Sequence, residues 1–365
     1  IEPASSRHSH SLNVPMPASS TATVPHSSTR RAPAQSPATA AVWASRITLG
    51  ALALGGIGAS LFNVSLSMQA QMVGYLIGMV ALNLPHGGYE HFENLRHRRV
   101  SFSLRYIALY LTFLAAFVGF FFVAPVAALG LAFSTAVVKG GHGGLKVMDA
   151  LCGTDHLPSQ WQRGLAAFVR GGAVMLVPLL AWPGIYIGFS TYMVQIFGAT
   201  GPLPLATHLS TVQAAVGSVY GLAVAVHLGA GFVQSGGSAA WRTDLAETAL
   251  LIAYFTFVPM MLAVGLYFPL WYTLRQTART TAIAPDTPAP DRLSLPRTWA
   301  AMVVGALVTF GLMAALYALV PNPMGGASLL AGAVSFYTVF VCILALPHIV
   351  VGDWLDQARG IWYVP

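Results

Sequence analysis

Nine long apolar runs dominate the chain, at residues 42–62, 68–85, 103–122, 125–139, 164–192, 211–233, 247–271, 298–320 and 327–351. Within each run apolar residues follow one another without alternation, so the spacing predicts helices that are apolar all round rather than strands. A helix needs about 20 such residues to cross the hydrocarbon of a bilayer. Lipid offers no hydrogen-bond partner, so a spanning backbone must bond to itself. The pattern therefore predicts an all-α, polytopic integral membrane helix bundle of eight or nine spans. Pro178 and Pro183 predict a kink in the run 164–192. The segment 277–297, with "APDTPAPDRLSLP", reads as a proline-rich loop.

Residues 1–40 hold almost no large apolar side chains and are rich in Ser, Ala, Pro and Thr. They are expected to be a disordered tail, too long and polar for the n-region of an ordinary signal peptide. Such a tail suits contact with a partner in a larger membrane complex. The helix bundle then occupies residues 41–356, and residues 357–365 form a short C-terminal tail.

Composition sharpens this reading. The chain of 365 residues is 56% hydrophobic and only 8% charged, against roughly 25% charged in soluble domains. The net charge of +7 does not point to nucleic acid, because Arg and Lys cluster in short linkers, as the positive-inside rule expects. The basic stretches at Arg30, Arg31 and Arg46, at 96–105 and at 139–163 place the N-terminus in the cytoplasm and the protein in a bacterial cytoplasmic membrane. Nine simple spans would then leave Arg275, Arg279, Arg292 and Arg297 outside. One segment is therefore expected to be re-entrant, or the rule is locally broken. Cys152 and Cys342 stand far apart and form neither a disulfide framework nor a C-x-x-C pair.

Four histidines lie in or at the ends of the apolar runs: His86, His142, His227 and His348. An ionisable group at membrane depth is costly and marks a functional position by default, although any one of them could equally be bonded to a neighbouring carbonyl. His86 lies in "PHGG", His142 in "GGHGG" and His227 in "HLGAG". Glycine leaves room for a bulky group at the imidazole, and it also permits close helix packing. Glu90, four residues after His86, would share a helical face with it and could hold its second N–H. The H-x-x-x-H and H-x-x-H-H pairs of histidine-box oxygenases are absent, which excludes a desaturase or alkane hydroxylase.

Over residues 80–355 the chain resembles the Brp/Blh family of integral-membrane β-carotene 15,15′-dioxygenases. Pro85, His86, Gly87, Glu90 and His91 match P-H-G-x-x-D-H with Glu for Asp. His142-Gly143-Gly144 matches H-F-G loosely. Arg170, Gly171 and Pro178 match an Arg-Gly pair before an apolar run, and Pro347-His348 matches a C-terminal Pro-His. In "GLYFPLWYTLRQ", Tyr267, Phe268 and Trp271 match Y-F-x-x-W-H-x-x-x-H, but Tyr272 and Gln276 stand where the family has histidines. The resemblance implies oxidative cleavage of β-carotene to retinal at a non-haem iron. His86 and His142 are then metal ligands, Glu90 supports His86, and Tyr272 and Gln276 stand at the family's two other ligand positions. His227 or His348 could in principle fill that gap at the bound group, although neither lies where the family places a ligand.

The two replaced positions divide the functional expectation. One reading is a dioxygenase with little or no cleavage, since Gln amide oxygen and neutral Tyr hold Fe(II) poorly. The other is a catalytically silent relative that binds a carotenoid, or a flat tetrapyrrole at a glycine-flanked histidine, as a structural subunit. A transporter finds no support, because no duplicated half is visible.

Overall fold

The computed structural model describes residues 37–83, 104–283 and 295–355. Every regular element among them is helical. The helices are α1 (Pro37–Leu61), α2 (Met68–Leu76), α3 (Leu104–Val123), α4 (Pro125–Leu151), α5 (Gln160–Ala181), α6 (Pro183–Gln195), α7 (Leu209–Ser235), α8 (Ala239–Phe257), α9 (Met260–Tyr267), α10 (Leu274–Ile283), α11 (Leu295–Leu319) and α12 (Leu329–Leu355). A π-helical stretch, Ile77–Asn83, extends α2, and a second, Phe268–Thr273, joins α9 to α10. Pro269 explains the second: it has no N–H for the carbonyl four residues back, and widening the turn relieves the clash of its ring.

Among the described residues, four segments are long and apolar enough to cross a membrane, namely Pro37–Leu61, Gln160–Ala181, Leu209–Ser235 and Leu329–Pro347. Their outward faces are apolar as well: Leu54 is 71% exposed and Val233 85%. Such surface suits acyl chains and would be a liability in water.

Small residues set the closest approaches. A Cβ on Gly171 of α5 would collide with the Val137 carbonyl oxygen of α4, and one on Gly141 with the Ala167 carbonyl oxygen. Gly78 and Gly265 likewise let the first π stretch cross α9 backbone to backbone. Without a hydrophobic force between helices in lipid, this close packing is what holds spans together. Tyrosines on one helix donate to carbonyls of another: Tyr220 to Val169 at 2.9 Å and Tyr337 to Met79 at 2.9 Å.

Four expectations are corrected. The run 164–192 is two helices, not one kinked span. The chain breaks at Trp182, and Pro183 opens α6, where its missing N–H costs nothing. The run 125–139 continues to Leu151, so the "GGHGG" stretch lies inside α4 rather than beyond its end. The run 247–271 folds back on itself. α8 ends at Val258-Pro259, and Tyr254 donates to the Ala263 carbonyl at 2.8 Å across the resulting hairpin. The reversal brings Arg275 and Arg46 onto one carboxylate, Glu247. Pro37–Ala40, expected in the tail, already belong to α1. The rest of the tail, the C-terminal residues 357–365 and the core of the proline-rich loop lie outside the described residues.

Candidate functional site

His142 sits near the middle of α4 with its ring exposed. Its Nδ1 lies 3.1 Å from the Val138 carbonyl oxygen, one turn back. A carbonyl only accepts, so Nδ1 carries the proton of this bond, and in the neutral ring Nε2 keeps its lone pair. The flanking glycines serve packing more than access. Gly141 receives α5 at Ala167. Beside Gly143, a Cβ would stand 2.7 Å from Gln276 Nε2 and 2.8 Å from a ring carbon of Tyr272. Tyr272 and Gln276, more than a hundred residues further along the chain, thus lie against Gly143, the neighbour of His142 in α4. His86 and Glu90 lie outside the described residues, as does the side chain of His348.

Behind this turn lies a buried ionic cluster (α1, α5, α7, α8 and α10). Glu247 of α8, 1% exposed, is its hub. Arg275 donates to both its oxygens, at 2.8 and 2.9 Å. Arg170 donates to Oε2 through both terminal nitrogens at 3.0 Å, and Arg46 Nε to Oε1 at 2.8 Å. Asp244, one turn earlier, takes a second bond from Arg170 at 2.8 Å and one from His156 Nε2 at 2.8 Å. His227 Nε2 lies 3.0 Å from the same oxygen, close enough to pair but poorly aligned for a hydrogen bond. His227 is therefore enclosed beside a carboxylate, apart from the His142 turn. Paired and multiply bonded charges of this kind persist at depth, where isolated ones would not.

The cluster touches the candidate site at two points. The aliphatic stem of Arg170 packs on Gly144, with Cδ 3.6 Å from where a Cβ would be. Arg275 adjoins Gln276 in sequence, and its guanidinium lies 4.2 Å over the Trp271 ring. Arg46 also donates to Cys152 Sγ at 3.3 Å. Burial first, then the nearby Glu247 carboxylate, pushes the Cys152 thiol up from its ordinary value. Sequence reasoning missed His156, Asp244, Arg46 and Arg275 as partners. The available signal was that Arg46, Arg170 and Glu247 each interrupt an apolar run with a charge.

The comparisons agree with one family. The sequence profile described as "Beta-carotene 15,15'-dioxygenase" matches residues 77–356. Two strains of Halobacterium salinarum carry a "Probable beta-carotene 15,15'-dioxygenase Brp" that is 51% identical over 339 residues, covering 88% of this chain and 93% of the relative. A "Probable beta-carotene 15,15'-dioxygenase Blh" of the same organism is 30% identical over 333 residues, or 85% of this chain and 93% of the relative. No solved structure matches. With a profile spanning most of the helical domain and relatives aligned along nearly their whole length, this chain belongs to the β-carotene 15,15′-dioxygenase family.

Proposed function

We propose that the protein takes β-carotene from the bilayer and cleaves its central double bond with dioxygen, one oxygen atom passing to each of two retinal molecules. The observation that supports this reading is the gathering of Tyr272 and Gln276 at the His142 turn, because the family resemblance assigns those three positions to one metal site.

Among the described residues no three His, Cys, Asp or Glu side chains converge as a metal site. His142, anchored at one ring nitrogen and exposed, has a ligand's arrangement, whereas His156, also anchored through one nitrogen, is fully buried against Asp244. His86 would be the second imidazole ligand, with Glu90 holding its other N–H. Two imidazoles would leave positions open on a non-haem Fe(II). Iron held there would supply the activation of dioxygen. The chain's own residues orient and exclude: the Val138 carbonyl fixes the His142 ring, and Tyr272 and Gln276 close the space beside Gly143. With an amide and a phenol in place of two imidazoles, turnover is low.

A second reading, a carotenoid-binding subunit without cleavage, is favoured by those same two side chains. Expression in carotene-producing cells separates the readings. Retinal that disappears in His142→Ala supports cleavage. Carotene that co-purifies with the protein, without retinal, supports the second. Tyr272→His with Gln276→His should raise bound iron under either.

The shared carboxylate of Arg46 and Arg275 supports a topology in which the chain crosses the membrane an even number of times between them. On this reading α1, α2 with its π extension, α3, α4, α5, α7, α8, α9–α10, α11 and α12 each cross, and α6 stays on the side opposite Arg46. That replaces the eight or nine crossings expected from run lengths. It also returns every arginine of α10 to the side of the N-terminus, which the positive-inside rule makes cytoplasmic. A cysteine at Thr277 that reacts only with reagents added from outside the cell would overturn it.

A further inference from the structure

We infer that Glu247 is a positioning residue: through Arg275 it sets the rotation of the π-stretch and α10 so that positions 272 and 276 face Gly143. The inference rests on the reading that these positions line the substrate site. Trp271 and Arg275 lie four residues apart, and so do Tyr272 and Gln276. Each pair shares one face of the helix, and the two faces are one residue, about 100°, apart. Whatever fixes the first face fixes the second.

The first face is held by more than packing. The Arg275 guanidinium meets Glu247 as a two-pronged fork, at 2.8 and 2.9 Å, and covers the Trp271 ring. Glu247 is itself held from two other helices, by Arg170 of α5 and Arg46 of α1. Arg170 in turn lies along Gly144, so the element that holds Glu247 also touches the His142 turn. The register of α10 against α4 is thereby determined by a carboxylate on α8 that reaches neither Gln276 nor His142 by any hydrogen bond described above. Lysine cannot replace this arginine, since an ammonium has neither the planar fork nor the flat face.

The test is thiol labelling in membranes, in a background with Cys152→Ser and Cys342→Ser. Single cysteines replace Gln276, which is buried, or Thr277, which is exposed, and each is reacted with N-ethylmaleimide. On adding Arg275→Lys, the rate at 276 should rise roughly tenfold and the rate at 277 should fall, because a rotating helix exchanges the two exposures while a frayed one exposes both. Trp271→Phe, which keeps the ion pair, should move both rates in the same directions by less. Unchanged rates, or a rise at both positions together, overturn the inference. If Arg275→Lys does not accumulate, Trp271→Phe decides by the same two outcomes. Labelling requires no turnover. A parent protein that makes no retinal therefore counts against cleavage alone, and unchanged rates count against the positioning role alone.

Discussion

Around His142, α4 presents one imidazole to its surroundings, with glycines on either side and a single bond to its own backbone. Around Glu247, five helices converge, and both oxygens of Glu247 and of Asp244 are claimed by Arg or His side chains. The first region has a histidine that holds nothing up. The second has two histidines that serve a carboxylate. Reactivity and cohesion are thus assigned to neighbouring regions of one bundle, and the same residue type means different things in each. An imidazole with an unclaimed Nε2 is available to a ligand; one turned onto Asp244 is part of the frame.

The comparison can be broken most sharply at Glu247. Glu247→Ala leaves three arginines facing a buried void, and removing one partner from a buried ionic cluster costs about 3–5 kcal/mol. The expected outcome is loss of monodisperse protein in detergent. A variant as stable as the parent would show that the cluster is peripheral to the fold. Next comes the helix crossing. Gly171→Ala forces α5 away from the Val137 carbonyl and should lower thermal stability by roughly 1–3 kcal/mol, with a matching fall in Tm.

The two kinds of histidine then give opposite pairs of effects. His156→Ala abandons a bond to a buried carboxylate and should cost about 1–3 kcal/mol. His142→Ala should change stability by no more than roughly 0.5 kcal/mol, as an exposed substitution does, yet abolish any retinal formed. If His142→Ala unfolds the protein and His156→Ala does not, the assignment is reversed. The smallest effect is expected at Arg163, whose 2.6 Å bridge to Asp149 is partly exposed at 24% and 11%. Arg163→Ala should cost about 0–1 kcal/mol, measured by the same melting curve.

Much of this bundle was legible in the hydrophobic runs. Their length and lack of alternation made helices inevitable, and α7, α11 and α12 fall within a few residues of their predicted limits. The reversals were not legible. Val258-Pro259 lies inside an unbroken apolar run, so nothing in the residue types marks a turn there rather than a kink. Of the candidate site, His142, Tyr272 and Gln276 could be found because a motif names them. The cluster could not, because its bonds join residues as far apart as Arg46 and Glu247, 201 positions from each other, and no local pattern encodes such a pairing. Arg275 looked instead like a violation of the charge rule, until the hairpin of α8 and α9 brought it back to Arg46.

The distance between Arg46 and Glu247 also bears on how the protein is made. A ribosome adding 5–20 residues per second needs roughly 10–40 s to pass from one to the other. During that interval Arg46 is without the carboxylate that it meets in the folded protein. Although α1 precedes the other described helices in the chain, this contact of Arg46 forms only once α8 has been made, and a nascent chain truncated before α8 leaves the guanidinium without that carboxylate.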